Sequence, residues 1–340
     1  MHFVGKSSRH ATVGILMIAF ALVPGIAAAK GPGESEGEPS GEKNGKEISA
    51  SVSLIDYDES KNGKGRTNGP VTSAGNWTPP ACWYEPKYTP KQYKEFWEPI
   101  WATPSVGHEW SSKLRDRYEG GNPYKDFNLE KQGEGNWWTG VSNQNRLNDP
   151  DAQSCDEFTY FWVPDGEKPN NPKAVTPEIL AQLAYDRILV PETKVDLAPQ
   201  DTTKVNLPTW AWLDEAEFKP VSVTASLPTL GIEATTTATP VSLKMEPGTK
   251  DAQLHPASGE CPIVDGSIGT PYTKGNSNKT PPCGLTYLRA STDVPFKLQA
   301  TITWEIHWTG TGIDGEQPLP NGTFGTDQDV VVQEVQAINR

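Results

Sequence analysis

KLQATITWEIHWT, residues 297–309, is the clearest fold signal in this chain of 340 residues. Apolar and polar side chains alternate along its whole length, and a period of two indicates a β-strand with one face in a core and the other in water. The side chains predicted to face the core are Leu298, Ala300, Ile302, Trp304, Ile306 and Trp308. His307, on the other face, is predicted to lie at the surface.

The same alternation recurs on both sides of this segment. The further alternating runs are Val221–Leu227, Val241–Met245 and 330–338. Trp210 and Trp212 share one face of another short run. Short strands separated by Gly- and Pro-rich turns are typical of β-sandwiches. The sequence therefore predicts a mainly β protein in which residues 191–340 form an antiparallel β-sandwich.

Residues 76–190 form a second predicted domain, which is rich in tryptophan and of α+β type. An amphipathic helix is predicted from the spacing of Tyr93, Phe96, Trp97, Ile100 and Trp101. Thr89 is its expected N-cap, and Pro99 is expected to end or kink it. We expect this domain to bury Trp83, Trp97 and Trp101, because a small domain needs large aromatic side chains in its core.

Two further elements are predicted in the same domain. Phe158, Tyr160 and Trp162 alternate with polar residues as a strand would. Thr176 is the expected N-cap of a helix that begins at Pro177 and buries an apolar face.

The first 29 residues have the layout of a secretory signal peptide. Lys6 and Arg9 precede an apolar run that is shorter than the ~20 residues of a membrane span. Cleavage after Ala29 removes both basic residues and changes the net charge from −13 to −15. We expect a secreted protein, extracellular or cell-wall associated, with no membrane span after signal cleavage.

Residues 30–75 are predicted to form an acidic, largely disordered linker with one strand at 48–55. The start of this segment has no large apolar residue, so it cannot bury enough surface to offset its ordering entropy.

Four cysteines, Cys82, Cys155, Cys261 and Cys283, suggest two disulfide bonds in an exported chain. Three pairings are possible. Proximity in the sequence favours Cys82–Cys155 and Cys261–Cys283, because each pair then lies within one predicted domain.

CGLTYLRASTDVPFKLQATITWEIHW, residues 283–308, resembles the end of PKD-type immunoglobulin-like domains, and Tyr287 corresponds to the tyrosine of that family. SLKMEPGT, residues 242–249, stands where the family has its W-x-F-G-D-G turn. The resemblance implies an Ig/PKD-like sandwich with a binding, spacer or adhesion role at a cell surface.

A longer pattern resembles a set of uncharacterised secreted proteins of high-GC Gram-positive bacteria. The matching stretches are WTPPACWY (77–84), FTYFWVP (158–164), VNLPTWAWL (205–213) and VQEVQA (332–337). This resemblance covers most of the mature chain and implies no activity.

The composition excludes several classes of protein. The chain has 30 basic and 43 acidic residues, so a nucleic-acid partner recognised through a basic patch is excluded. The hydrophobic fraction of 35% excludes a polytopic membrane protein, and 31 glycines with 31 prolines exclude a coiled coil.

No catalytic residue and no cofactor is predicted. The histidines after the signal peptide, His108, His255 and His307, belong to no known zinc-site spacing, and the chain contains no nucleophile-elbow or phosphate-loop motif. The pairs Glu95/Glu98 and Glu215/Glu217 offer the one catalytic alternative, because glycosidases use two carboxyl groups as acid and base or nucleophile.

The types of residue present suggest two candidate binding sites. Trp137 and Trp138 lie between glycine-rich stretches and are the candidates for stacking on a sugar ring. The carboxylates that could hold Ca²⁺ are Asp149, Asp151, Asp156 and Glu157. A solvated acidic loop is favoured over a calcium site there, so no metal is predicted.

The function predicted from the sequence is that of a secreted, non-enzymatic cell-envelope protein, acting as a binding or structural module. Its expected partner is a cell-wall polysaccharide or another envelope protein. The alternative is a carbohydrate-binding module or carbohydrate-active hydrolase that uses exposed tryptophan and paired carboxylates.

Overall fold

The computed structural model describes residues 54–64, 69–102, 108–213, 218–264 and 267–335. The predicted signal peptide, residues 48–53 of the strand predicted at 48–55, and most of the predicted linker therefore lie outside the described residues. All the described residues belong to one compact unit, Gly33–Arg340.

The described helices alternate with strands as far as residue 186, and almost every later element is a strand. The helices are α1 (Pro90–Ala102), α2 (His108–Tyr118) and α3 (Pro177–Asp186), with short 3-10 turns at Asp126–Lys131, Gln144–Arg146, Pro150–Ser154 and Pro228–Leu230. The strands are β1 (Asp56–Asp58), β2 (Gly69–Pro70), β3 (Thr72–Ser73), β4 (Cys82–Tyr88), β5 (Gly135–Ser142), β6 (Phe161–Pro164), β7 (Leu189–Val190), β8 (Asp196–Ala198), β9 (Thr202–Lys204), β10 (Pro208–Leu213), β11 (Val221–Leu227), β12 (Ile232–Glu246), β13 (Ala252–His255), β14 (Glu260–Val264), β15 (Ser267–Gly269), β16 (Gly284–Tyr287), β17 (Phe296–Gly310) and β18 (Gln317–Gln333).

The long strands β12, β17 and β18 are the centre of a large, mainly antiparallel sheet. β17 lies between β12 and β18, and β11 and β1 extend the sheet beyond β12. β14 pairs with β12 and also with β15, and the sheet continues through β15 to β10, β16 and β13. The predicted mainly β fold with antiparallel strands is confirmed, and its two sheet regions share one core in a sandwich-like arrangement.

β17 buries the face that its sequence predicts. Every apolar residue from Leu298 to Trp308 on that face is buried, and Trp304 is completely so. The prediction that Trp304 and Trp308 are core residues is confirmed. His307 lies on the other face, partly exposed, with Nε2 3.8 Å from Glu305 Oε1.

α3 covers the sheet where β11, β12 and β17 run beside one another. Its N-cap is the predicted one, because the backbone N–H of Ile179 donates to Thr176 Oγ1 at 3.2 Å. Leu180, Ala181 and Ala184 are buried against the strands. The core therefore continues across residue 190, where the sequence places a domain boundary.

β4, β5 and β6 form a small antiparallel sheet in the tryptophan-rich part. α1 begins with a reciprocal cap, in which Gln92 N donates to Thr89 Oγ1 at 3.4 Å and Thr89 N donates to Gln92 Oε1 at 2.9 Å. The helix continues through Pro99 to Ala102. Trp83, Trp97 and Trp101 are buried, as predicted.

Two expectations for this region need correction. β6 begins at Phe161, three residues after the predicted start, and Phe158 is 62% exposed because the chain there forms a turn capped by Asp156. α2 was not predicted, although Trp110, Leu114 and Tyr118 recur at the i, i+4, i+8 spacing of a helical stripe.

The end of the predicted linker is part of the folded body. β1 pairs with β11, β2 with β7 and β3 with β18. Ile55 is buried in the main core. Backbone pairing to existing strands and one buried apolar side chain order a segment whose composition alone predicts disorder.

Both favoured disulfide bonds are present. Cys82 is bonded to Cys155 and Cys261 to Cys283, so all four cysteines are paired. The bonds join residues 73 and 22 positions apart.

Each disulfide is expected to stabilise the fold by restricting the unfolded chain. The chain-entropy relation gives about 4 kcal/mol for Cys82–Cys155 and about 3 kcal/mol for Cys261–Cys283. Urea unfolding of two double variants, Cys82→Ser with Cys155→Ser and Cys261→Ser with Cys283→Ser, measures these losses. A midpoint that does not change in either variant contradicts the prediction.

Candidate functional site

β10 has apolar side chains on both of its faces. Ala211 and Leu213 are buried in the main core. Trp210 and Trp212 share the opposite face, as the sequence indicates, and neither belongs to that core. Trp210 is buried and meets the ring of Tyr272 edge-to-face, with the centroids 6.0 Å apart. Trp212 is only partly buried, so its indole contributes to the surface.

A carboxylate lies beside the ring of Trp212. β8 pairs antiparallel with β10 and sets Asp196 directly opposite Trp212. Residues in such a pair project from the same face of the sheet, with their Cβ atoms about 5 Å apart. Asp196 is exposed, and it has no ion-pair partner among the described residues.

Two glycines allow the strands on the other side of β10 to approach closely. Gly269 pairs with Trp212 and Gly284 with Trp210. Gly269 has φ +70°, and a Cβ atom there would lie 2.2 Å from the carbonyl oxygen of Ala211. A Cβ atom on Gly284 would lie equally close to the carbonyl oxygen of Thr209. Any larger residue would therefore push β15 or β16 away from β10.

Trp212 and Asp196 line a surface cleft of about 700 Å³. Its walls are stiff, because the Cys261–Cys283 disulfide lies in them and proline rings have a fixed φ. The other principal lining residues are Pro262, Val264, Ser267, Ile268, Thr270, Pro271 and Pro282. The cleft is thus mainly apolar with a few polar groups, which is the usual composition of a small-molecule site.

A second cleft of about 630 Å³ shares one lining residue with the first, Asp196. Its charged lining residues are Lys194, Asp196, Asp201 and Asp329. Asp329 Oδ1 is 2.6 Å from Lys297 Nζ. Asp201, like Asp196, has no ion pair within the described part of the chain. The two clefts together form a groove with more negative than positive charge.

The described lining residues of the two clefts supply several kinds of group that contact ligands in other proteins. Trp212 offers a flat apolar surface, Asp196 accepts hydrogen bonds, and Ser267 and Thr270 offer hydroxyl groups. Of the histidines, His255 is partly buried, and its Nε2 lies 3.2 Å from Thr286 Oγ1. Burial lowers the pKa of His255.

The expectation that Trp137 and Trp138 form a sugar-stacking surface is wrong. They are 0% and 1% exposed. Because they are neighbours on β5 they point to opposite faces, as expected, but both faces are covered. Trp137 packs in an aromatic cluster under α1 and α2 and donates to the carbonyl oxygen of Phe127 at 3.1 Å, while Trp138 lies in the main core.

The carboxylates of the acidic loop form hydrogen bonds within the loop itself. Asp149 Oδ1 accepts the N–H of Asp151 at 2.9 Å and its Oδ2 binds Arg146. Asp156 Oδ1 accepts the N–H groups of Phe158 and Thr159. These hydrogen bonds lower the pKa of Asp156 against the opposing effect of burial. Within the described ranges no three His, Cys, Asp or Glu side chains are grouped to hold a metal, so the calcium alternative at Asp149, Asp151, Asp156 and Glu157 finds no support.

The carboxylate pairs do not form a cleft in the described part of the chain. Glu95 and Glu98 are exposed on α1, where Lys91 and Lys94 pair with them at 3.8 Å and 4.0 Å. Glu215 and Glu217 lie outside the described residues.

Sequence reasoning missed Trp212 and Asp196 as site residues. The sequence PTWAWL did contain one indication of a site. It has large apolar residues on both faces of a strand, so the face that does not contact the main core must be covered by something else. The pairing of β8 with β10 has no local signal, because residues 196–198 are too few to show a period.

No protein-family model, no curated protein and no solved structure matches this chain. Among the described helices, none is long and apolar enough to cross a membrane.

We expect Gly269→Ala to disturb the cleft and destabilise the protein. Gly275→Ala is the matched control, because Gly275 also has a positive φ, +100°, but has no atom within 4 Å of an added Cβ. The control should lose about 1 kcal/mol of the free energy of unfolding and Gly269→Ala about 3 kcal/mol. Equal losses in urea unfolding would show that the contact with Ala211 is unimportant.

Alkaline pH should destabilise the fold through its buried tyrosines. Burial raises the pKa of Tyr88 and of Tyr185 to about 12, from 10.0. Their contribution is complete below pH 10.0 and is lost as the pH rises towards 12, because the unfolded chain ionises first. Urea unfolding at a series of pH values measures the effect, and Tyr88→Phe should reduce the fall. A stability that is constant over this pH range contradicts the prediction.

Proposed function

We propose that this protein is exported from the cytoplasm and acts as a non-enzymatic binding module of the cell envelope, with the cleft around Trp212 as its ligand site. The observation that carries the proposal is the position of Trp212. It is a partly exposed tryptophan in a cleft of about 700 Å³, with an unpaired carboxylate beside it. Tryptophan is enriched at binding sites because it combines a large apolar surface with little conformational freedom to lose.

The rigidity of the frame supports this choice of site. β10 is hydrogen-bonded to β8 on one side and to β15 and β16 on the other, and Ala211 N donates to Cys283 O at 3.0 Å. The disulfide joins two walls of the cleft. A site that is already formed loses little entropy when its ligand binds.

Export is supported by two independent features. The N-terminal sequence has a basic start, an apolar run and Ala27-Ala28-Ala29. All four cysteines are in disulfide bonds, which persist in oxidising compartments. The resemblance of residues 283–308 to PKD-type domains agrees with a role in adhesion or binding at a cell surface.

The hydrolase alternative is less well supported, because of where its candidate carboxylates lie. Glycosidases need two carboxyl groups about 5–9 Å apart across a sugar-binding cleft. Glu95 and Glu98 face solvent from one helix and are paired with lysines.

Binding of the exported protein to washed cell envelopes of its own organism tests the proposal. Trp212→Ala should weaken binding about tenfold or more, since loss of a central aromatic contact costs more than ~1.4 kcal/mol. Trp110→Ala is the control, because Trp110 is 40% exposed on α2 but lies outside the lining of the cleft.

Two results would contradict the proposal. One is retention of the protein in the cytoplasm on cell fractionation. The other is envelope binding that Trp212→Ala and Trp110→Ala affect equally while both variants keep the unfolding midpoint of the parent protein.

A further inference from the structure

The two clefts share Asp196 as a lining residue, and together, as the groove, they limit the kind of ligand that can bind. We propose that it binds a polysaccharide chain without acidic groups, with one sugar ring stacked on Trp212 and the chain continuing past Asp196 into the second cleft. This inference deepens the proposed function and rests on it.

A sugar ring fits the surface that Trp212 offers. A pyranose has apolar C–H groups on its faces and hydroxyl groups around its edge, so it packs face to face on an indole and turns its polar groups outward. The backbone at Trp212 is paired with β8 on one side and β15 on the other, and the side chain is half-buried. The strand that carries the indole is therefore fixed before a ligand binds.

Asp196 lies where the edge of that sugar would be. It is directly across from Trp212 and on the same face of the sheet, about 5 Å away between Cβ atoms. An ionised carboxylate has only acceptor oxygens, and sugar hydroxyl or amino groups are donors. Hydrogen bonds to a charged acceptor are about twice as strong as neutral ones. Asp196 is therefore suited to hold the edge of a stacked ring.

The charges of the groove disfavour an acidic ligand. Asp196 and Asp201 have no described ion-pair partner, and Asp329 is only neutralised locally by Lys297. Lys194 is the one basic residue in the described lining of either cleft. A carboxylated or phosphorylated sugar would be repelled by this field, whereas a neutral or amine-bearing sugar would not.

The shape favours a chain over a single sugar. The clefts have volumes of about 700 Å³ and 630 Å³, and each by itself is within the range of small-ligand sites. Because Asp196 lines both clefts, a chain that passes this residue can enter both. A ligand that fills both clefts has at least two units.

A peptide added as a β-strand fits the walls less well. Such binding needs a row of free backbone N–H groups. Pro262, Pro271 and Pro282 line the first cleft, and proline has no backbone N–H.

Treated envelopes test the class of ligand without knowledge of its identity. Anhydrous hydrogen fluoride cleaves the glycosidic bonds of sugars with or without vicinal diols and leaves peptide bonds intact, whereas protease removes proteins. We expect hydrogen fluoride treatment of washed envelopes to abolish binding of the exported protein and protease treatment to leave it unchanged. The opposite result would overturn the polysaccharide inference but keep the proposed binding function. Absence of binding to untreated envelopes would overturn both.

Soluble probes test the charge and length of the ligand. Titration calorimetry would compare oligomers of glucose, N-acetylglucosamine, glucosamine and galacturonate with their monomers. We expect binding of at least one of the first three oligomers, tighter than its monomer, and none of the galacturonate oligomer. Preference for galacturonate, or equal affinity for monomer and oligomer, contradicts the inference.

Variants link that binding to the groove. Trp212→Ala should lower the affinity for the oligomer about tenfold or more, and Asp196→Asn about fivefold. The matched controls are Trp110→Ala and Asp293→Asn, which remove an exposed tryptophan and an exposed carboxylate outside the groove. Full affinity in Trp212→Ala, with its fold intact by circular dichroism, overturns the assignment of the site.

Discussion

The apolar face of β17 is buried along its whole length, and the positions of the other elements depend on that burial. β12 and β18 pair with it on either side and provide the backbone hydrogen bonds of the central sheet. Towards one end this face is covered by α3, and the core continues into the sheet region that contains β10 and β16. A strand as long as Phe296–Gly310 cannot be covered by a single helix, so the chain needs both kinds of cover.

The smaller sheet in the tryptophan-rich part must also be covered by other elements. The sheet of β4, β5 and β6 is too small to form a core alone, and both of its faces are buried by other elements. The helices α1 and α2 cover Trp137 on one side, and the main core covers Trp138 on the other. Aromatic side chains supply the large apolar area that this arrangement requires. The excess of tryptophan is thus mostly structural, and abundance alone is a poor guide to a sugar-binding surface.

Trp212 differs from the buried tryptophans because the second face of its strand is only partly covered. Ala211 and Leu213 bind β10 to the core, while Tyr272 covers Trp210 but the cleft leaves Trp212 accessible. The closely spaced strands at Gly269 and Gly284 and the Cys261–Cys283 disulfide fix the walls of that cleft. A partly exposed aromatic ring in a rigid frame is the feature on which the proposed function depends.

The sequence by itself determined the features that rest on near neighbours in the chain. The alternation in residues 297–309 predicted the buried face of β17, Thr176 predicted the start of α3, and proximity predicted both disulfide pairs. Only the tertiary structure decided which tryptophans remain accessible. Trp137, Trp138 and Trp212 are alike in local sequence pattern, because each lies on a short apolar strand. Their exposure depends on what packs against them. The helices α1 and α2 cover Trp137 and the main core covers Trp138, whereas a cleft leaves Trp212 partly exposed. The residues that cover each tryptophan are distant from it in the chain, so the local alternation of apolar and polar residues cannot predict its exposure.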